Sequence, residues 1–189
     1  MFADALVRDR ARLLELLTQR SFERRRVVLS SGKESDFYID CKRTALLAEG
    51  HFLIGRLFLD AIRREAPEAV GVGGLTLGAD PLASAVSLTG YLSSHPLAAF
   101  IVRKEPKGHG TGQWIEGLSG LGAGAKVAIV EDVVTTGGST LKAIERAQAE
   151  GLTVLGAFAL VDRLEGGREA VEAAGHRLTT LFTRKDFIP

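Results

Sequence analysis

Short apolar runs alternate with helical segments over most of the chain, and this alternation restricts the fold more than any other feature. The apolar runs lie at residues 69–73, 97–102, 126–130, 152–161 and 177–182. Helical stretches separate them, such as residues 138–150, where Leu141, Ile144 and Ala147 share one face. The alternation predicts an α/β fold with a parallel sheet covered on both faces. In such folds ligands bind beyond the carboxyl ends of the strands, so residues that follow the apolar runs are the candidates for function.

The amino-terminal part of the chain has a different pattern. Leucines at helical spacing predict a helix over residues 3–19, and two short strands are expected at 26–30 and 37–40. A further helix should end at Pro67. This region therefore precedes the alternating part as a separate structural element.

Composition and charge exclude several classes of protein. A chain of 189 residues suits one compact domain, and a formal net charge of +1 argues against a surface that binds nucleic acid or membrane as a whole. An anionic ligand would need a local basic cluster. The single cysteine, Cys41, excludes an intrachain disulfide, and no apolar run reaches membrane-spanning length. The charged amino-terminal helix is unlike a signal peptide, so the cytoplasm is the expected location.

The segment VAIVEDVVTTGGST, residues 127–140, is the most informative for function. An apolar strand leads into Glu131 and Asp132, and hydroxyl and glycine residues follow before a helix begins. Glycines bring backbone N–H groups close to a ligand, and a helix N-terminus adds free donors and partial positive charge. The pattern predicts a cup for a phosphate dianion, with two acids that can bind sugar hydroxyls and help to hold hydrated Mg²⁺. A simple helix cap would explain Ser139 or Thr140 but not the paired acids.

A second segment, VRKEPKGHGTGQWIEG at residues 102–117, is basic and rich in glycine. Arg103, Lys104, Lys107 and His109 fall within seven positions, directly after an apolar run. Such groups can stabilise the negative charge that builds on a leaving group, and the histidine can donate a proton or a hydrogen bond. A solvated loop without a role is the alternative, but the position after a strand end favours function. The phosphate motifs GxxxxGK[ST] and strand-linked GxGxxG do not occur.

Together these segments resemble the type I phosphoribosyltransferases. Residues 127–140 are similar to the family's signature for phosphoribosyl pyrophosphate (PRPP), and the order RKExKxHGxxxxIEG resembles the orotate phosphoribosyltransferases. The resemblance implies the type I phosphoribosyltransferase fold, with a central parallel sheet flanked by helices and a small N-terminal hood. Residues 1–189 would form one domain, with the hood at 1–45 and the α/β core at 46–189. The implied reaction is the transfer of ribose 5-phosphate from PRPP to orotate in pyrimidine biosynthesis, with Mg²⁺ as cofactor.

The same resemblance assigns roles to individual residues. Catalysis would fall on Lys107, Glu131 and Asp132. Mg²⁺ would be held by PRPP without direct protein ligands, or with help from the two acids. The implied PRPP contacts are Arg103, Lys104, Lys107, His109, Glu131, Asp132, Val133, Val134, Thr135, Thr136, Gly137, Gly138 and Ser139.

Orotate binding would fall on Thr135 and Arg163, because a planar guanidinium can grip a carboxylate through two hydrogen bonds. The loop of residues 103–112 would reach into the partner's active site in a homodimer. Two positions depart from the family pattern: Ser30 and Leu77 stand where some relatives carry lysine, so those contacts are not expected.

Two other functions fit part of the sequence. One is a phosphoribosyltransferase for a purine or another pyrimidine, which Arg163 and the basic loop argue against. The other is a regulator that binds PRPP without catalysis. Such a protein should lack the basic loop or carry a nucleic-acid-binding element. This sequence contains the basic loop and shows no obvious nucleic-acid-binding element.

Overall fold

The computed structural model describes residues 2–28, 34–106 and 113–188. Its helices are α1 (Phe2–Arg20), α2 (Lys42–Ala45), α3 (Ala48–Glu65), α4 (Ala79–Leu92), α5 (Gly138–Ala149) and α6 (Gly167–Ala173). Its strands are β1 (Phe22–Val28), β2 (Glu34–Ile39), β3 (Gly71–Leu75), β4 (Ala98–Val102), β5 (Ile115–Glu116), β6 (Lys126–Val134), β7 (Thr153–Asp162) and β8 (Leu178–Thr183). Short 3₁₀ turns follow at Leu118–Gly120 and Arg184–Asp186.

Strands β3 to β8 form one central sheet in the order β5-β4-β3-β6-β7-β8. Strands β3, β4, β6, β7 and β8 are parallel, and helices cover both faces, which confirms the predicted α/β architecture. The sheet is parallel except at one edge, where β5 runs antiparallel to β4. This strand has only two residues, too few to show an apolar pattern in the sequence.

The predicted helices lie close to their expected positions. The segments expected at 3–19 and 138–150 form α1 and α5 with ends shifted by one residue. Strand β6 differs more, because it continues to Val134 and not to residue 130.

No helix in the described ranges is long and apolar enough to cross a membrane.

The hood, which the structure describes at residues 2–28 and 34–45, packs against one side of the core. Strands β1 and β2 form an antiparallel ribbon, and α1 lies on α3. The side chains of Leu17 and Phe37 join the same hydrophobic cluster as Phe58 and Phe158. Burial of this shared apolar surface holds the hood to the core.

The segment after β8 adds an aromatic contact to this junction. The Phe187 ring centroid lies 5.7 Å from those of Phe22 and Phe37. Nearby, the Arg10 guanidinium donates to the Asp186 carboxylate at 3.0 Å. Residues from both ends of the chain therefore meet beneath the β1–β2 ribbon.

Candidate active site

The site forms where β6 extends beyond its neighbour β3. Pairing between these strands ends at Gly73 and Ile129, whereas pairing of β6 with β7 continues to Val134 and Asp162. One edge of β6 is therefore without a strand partner along its last residues. The two predicted acids lie on this part of the strand.

Glu131 and Asp132 occupy different environments although they are adjacent. Glu131 is 5% exposed and accepts a hydrogen bond from the Thr140 hydroxyl at 3.4 Å. Asp132 is half-buried, and its Oδ1 accepts the Val133 backbone N–H at 2.9 Å. Burial, and then the nearby charge of Asp132, raise the pKa of Glu131 well above its ordinary value. The pair thus combines a carboxyl group that resists ionisation with one that water can reach.

The turn between β6 and α5 forms the predicted phosphate cup. Its eight residues, 133–140, line a cavity of about 120 Å³. Gly137 has φ +81°, a conformation that favours glycine, and it directly precedes α5. The first N–H groups of α5 have no acceptor one turn earlier in the helix, so they are available to an anion. The structure therefore brings together Val133, Val134, Thr135, Thr136, Gly137, Gly138 and Ser139 as expected.

The turn after β3 closes the other side of the acids. A Cβ atom on Gly78 would lie 2.3 Å from Asp132 Oδ1, so a larger residue would force the Asp132 side chain to move. Leu77 is 67% exposed and offers no charge to a ligand. Thr76 donates its hydroxyl to Asp80 Oδ2 at 2.7 Å, while Asp80 Oδ1 is buried without a hydrogen-bond partner among the residues described.

The start of the basic loop faces this same turn. Thr76, Asp80, Ile101, Arg103, Lys104, Glu105 and Glu116 line a cavity of about 430 Å³. Arg103 is paired there with Glu116 at 3.2 Å. Arg103 and Lys104 are thus placed beside the turn, as the sequence predicted, whereas Lys107 and His109 lie outside the described residues. Ser30 also lies outside the described residues.

Arg163 lies beside the phosphate cup, under the hood. Its backbone N–H donates to the Val134 carbonyl at 3.0 Å, which fixes it next to Thr135. The guanidinium is largely buried, donates to the Phe37 carbonyl at 2.8 Å and contacts the Glu165 carboxylate at 3.1 Å. The structure therefore places the Arg163 guanidinium between the cup and the hood.

Two residues near the site were not predicted from the sequence. Asp80 is an acid in the first turn of a helix, a common arrangement that carries no functional signal. Cys41 lies with its Sγ 3.8 Å from the Asp132 carbonyl oxygen, behind the acids. Burial raises the pKa of this thiol well above its ordinary value. Neither residue belongs to a local motif, so only the folded chain reveals its position.

Comparison with known proteins identifies the family. Residues 58–174, more than half of the chain, match the phosphoribosyl transferase domain. The orotate phosphoribosyltransferase of Sorangium cellulosum is 56% identical over 181 residues, which cover 96% of this chain and 94% of that protein.

Solved structures agree with these sequence relatives. The crystal structure of the Mycobacterium tuberculosis orotate phosphoribosyltransferase in complex with Fe(III) dicitrate has a TM-score of 0.80 and 40% identity, covering 96% of this chain and 99% of that one. The structure of the same enzyme in complex with PRPP has a TM-score of 0.78 and 39% identity, and the match covers 95% of this chain and 98% of that one. With these matches, the strand-end acids, the phosphate cup and the placement of Arg163 have one explanation: the chain belongs to the orotate phosphoribosyltransferase family.

Proposed function

We propose that the protein transfers ribose 5-phosphate from PRPP to orotate, giving orotidine 5′-monophosphate and pyrophosphate. The observation that carries this proposal is the phosphate cup of residues 133–140, which begins directly after Glu131 and Asp132 on the open edge of β6. A phosphate in the cup would place the attached ribose against the acids. The reactive C1 would then face the space between Arg163 and the turn after β3.

The reaction breaks the bond between C1 and the pyrophosphate oxygen and forms a bond between C1 and N1 of orotate, and the proton that N1 loses leaves with the pyrophosphate. As the first bond loosens, positive charge develops on the ribose ring. Glu131 and Asp132 would bind the ribose hydroxyls and favour that charge. The cup would fix the 5-phosphate, so that the base meets C1 in one orientation.

Departing pyrophosphate requires positive charge on the other side of C1. Arg103 and Lys104 line the cavity of about 430 Å³ beside the turn after β3. We assign them to the pyrophosphate, together with Lys107 and His109 from the rest of the basic loop. Leu77 contributes no charge here, so the basic loop would have to supply it.

Mg²⁺ is the proposed cofactor. The described residues contain no cluster of three or more histidine, cysteine, aspartate or glutamate side chains that could hold a metal ion. The donor set at the site, one half-buried and one buried carboxyl group, fits an ion whose other ligands are substrate oxygens and water. When bound, the ion would supply positive charge that stabilises the departing pyrophosphate. Asp132 and Glu131 would stand nearest to it.

Following the ultraviolet absorbance of orotate with PRPP and Mg²⁺ tests the reaction directly. Orotate, uracil, adenine, hypoxanthine and xanthine should be compared at equal concentration, and we expect turnover with orotate. Transfer to a purine instead would identify a different member of the fold class. Tight PRPP binding with no pyrophosphate release from any base would identify a regulator.

Replacement of Arg163 by lysine should weaken orotate binding selectively. Lysine keeps the charge but cannot make two parallel hydrogen bonds to a carboxylate, so we expect the KM for orotate to rise about 10-fold to 100-fold. The KM for PRPP should change little, because the cup and the acids are untouched. Arg177→Lys, at an exposed ion pair with Glu65, is the control. An unchanged KM for orotate in Arg163→Lys would remove this assignment.

We also propose that the protein is a homodimer in which residues 103–112 enter the partner's site. Exposed apolar side chains on α3 and α4 support a second copy as partner. Phe52, Leu88 and Leu92 are 56%, 56% and 75% exposed and line one groove of about 500 Å³. Sedimentation should therefore show a dimer.

Co-expression of two inactive variants tests whether the loop is shared. If Lys107 acts in the partner's site, Lys107→Ala and Asp132→Asn subunits form mixed dimers with one intact site. Random assembly then restores about a quarter of wild-type activity, since half of the dimers are mixed. Each variant expressed alone is the control. No recovery in proven mixed dimers would place the loop in its own subunit's site.

A further inference from the structure

Arg146 makes three contacts to the base of the basic loop. It lies on α5, and its guanidinium donates to the backbone carbonyls of Arg103 and Lys104, the latter at 3.2 Å. The guanidinium carbon also lies 3.8 Å from the centroid of the Trp114 ring. One side chain therefore binds both the residues that enter the loop and a residue that leaves it.

These contacts close the stem of the loop, defined here as residues 102–104 and 114–116. Val102 pairs with Ile115, and the Arg103 N–H donates to the Trp114 carbonyl at 2.9 Å. The antiparallel pair between β4 and β5 is short, so few strand hydrogen bonds hold the stem. Arg146, on α5, adds contacts to both sides of the stem.

The guanidinium is suited to this position by its shape. Its face stacks on an aromatic ring while its edge donates hydrogen bonds in the same plane, which a lysine ammonium cannot reproduce. Each carbonyl that it binds belongs to a residue whose side chain lines the cavity of about 430 Å³ beside the turn after β3. Fixing these two carbonyls restricts where the side chains of Arg103 and Lys104 can point.

Helix α5 connects this stem to the phosphate cup. The helix begins at Gly138 in the cup, and Arg146 follows eight residues later. At about 1.5 Å per residue, that separation is roughly 12 Å along the helix axis. A rigid helix therefore sets the distance between the cup and the stem.

We propose that Arg146 is a positioning residue for the transfer reaction. It holds the stem, so that the basic loop leaves the stem in one fixed direction and presents its side chains to pyrophosphate. This inference rests on the proposed function, which assigns the cup to the 5-phosphate and the stem to pyrophosphate. Arg146 itself contacts neither ligand.

The test compares Arg146→Met and Arg146→Lys with Lys142→Met, a matched change at an exposed position one turn earlier on α5. In the Arg146→Met enzyme we expect kcat to fall at least about 10-fold, since small misplacements of charged groups are costly in catalysis. In the reverse direction the KM for pyrophosphate should rise by a similar factor. Orotidine 5′-monophosphate, which uses the cup but not the stem, should bind within about twofold of wild type. Arg146→Lys should recover little of the loss, because it restores charge without the stacked, planar fork.

Trp114 provides a readout that does not depend on catalysis. It is the single tryptophan of the chain, so its emission reports the stacked guanidinium. We expect Arg146→Met to change that emission and to abolish the response to added pyrophosphate and Mg²⁺. Lys142→Met should retain both signals.

The outcomes separate the two proposals. Wild-type protein without orotate turnover would overturn the proposed function, even with the fluorescence response intact. Wild-type turnover with unchanged kcat and unchanged pyrophosphate KM in Arg146→Met would overturn the positioning role. Equal weakening of pyrophosphate and orotidine 5′-monophosphate, with a lowered melting temperature, would also overturn it and leave Arg146 as a general stabilising contact.

Discussion

Replacement of Lys107 by alanine is expected to lower kcat by about 100-fold to 1,000-fold, the usual effect of removing one group that stabilises transition-state charge. The loss should fall on kcat because pyrophosphate gains negative charge as the bond to C1 loosens. Leu77 supplies no compensating charge on the opposite turn, which increases the dependence on the basic loop. The orotate absorbance assay at saturating PRPP measures this change.

The fold of the Lys107→Ala protein should be intact. In the sequence the position lies between the stem residues, outside the described part of the structure. The hydrophobic clusters of the described residues contain no lysine. We expect a melting temperature close to wild type, and Lys142→Ala, an exposed lysine on α5, is the control for charge loss. Wild-type kcat in Lys107→Ala would reject the catalytic role of this lysine.

Replacement of Glu131 by glutamine should increase stability and reduce activity at the same time. Burial raises the pKa of this carboxyl group, so its ionised form costs more free energy in the folded protein than in the unfolded chain. Glutamine keeps the shape and can still accept the bond from Thr140 without carrying a charge. We expect a gain of about 0.5–2 kcal/mol in the free energy of unfolding near pH 7.5. Transfer activity should fall by at least about 10-fold, because the amide cannot ionise beside the positively charged ribose as the carboxyl group can.

The pH dependence of this gain follows from the direction of the shift. Below the ordinary pKa of about 4.5 the carboxyl group is protonated in both folded and unfolded protein, so the variant and wild type should be equally stable. As the pH rises above that value, the unfolded state loses its proton first and wild-type stability falls. The gain in the free energy of unfolding from glutamine should therefore grow as the pH rises above about 4.5. It should become constant above the raised pKa of Glu131.

Denaturant unfolding from pH 4 to 8 measures the difference. Glu145→Gln, at an exposed position on α5, is the matched control and should show no such trend. A Glu131→Gln protein that is less stable than wild type at pH 7.5 would show that the ionised carboxylate is well accommodated. In that case the assigned environment of Glu131 would be wrong.

The sequence predicted those parts of the site that depend on neighbours in the chain. The phosphate cup follows from glycine and hydroxyl residues between a strand and a helix, and these lie within a few positions of one another. The extension of β6 to Val134 was missed because Glu131 and Asp132 resemble the end of a strand, although pairing with β7 continues past them. Pairing with a neighbouring strand determines where β6 ends, and the sequence of β6 alone does not indicate that pairing.

Long-range contacts account for the remaining differences. Arg146 reads in sequence as an exposed helical arginine, yet its partners Arg103 and Lys104 lie more than 40 residues earlier. Arg163 was placed through family resemblance, and its contact with the Phe37 carbonyl joins residues far apart in the chain. Such contacts arise from the topology of the sheet, which brings distant strand ends to one edge.

The aromatic junction beneath the hood has a consequence for biosynthesis. Phe22 and Phe37 emerge early from the ribosome, but their partner Phe187 is translated only after the whole central sheet. Until then the nascent β1–β2 ribbon lacks part of its apolar cover, a condition that favours chaperone binding or aggregation. Completion of the hood is therefore coupled to synthesis of the segment that follows β8.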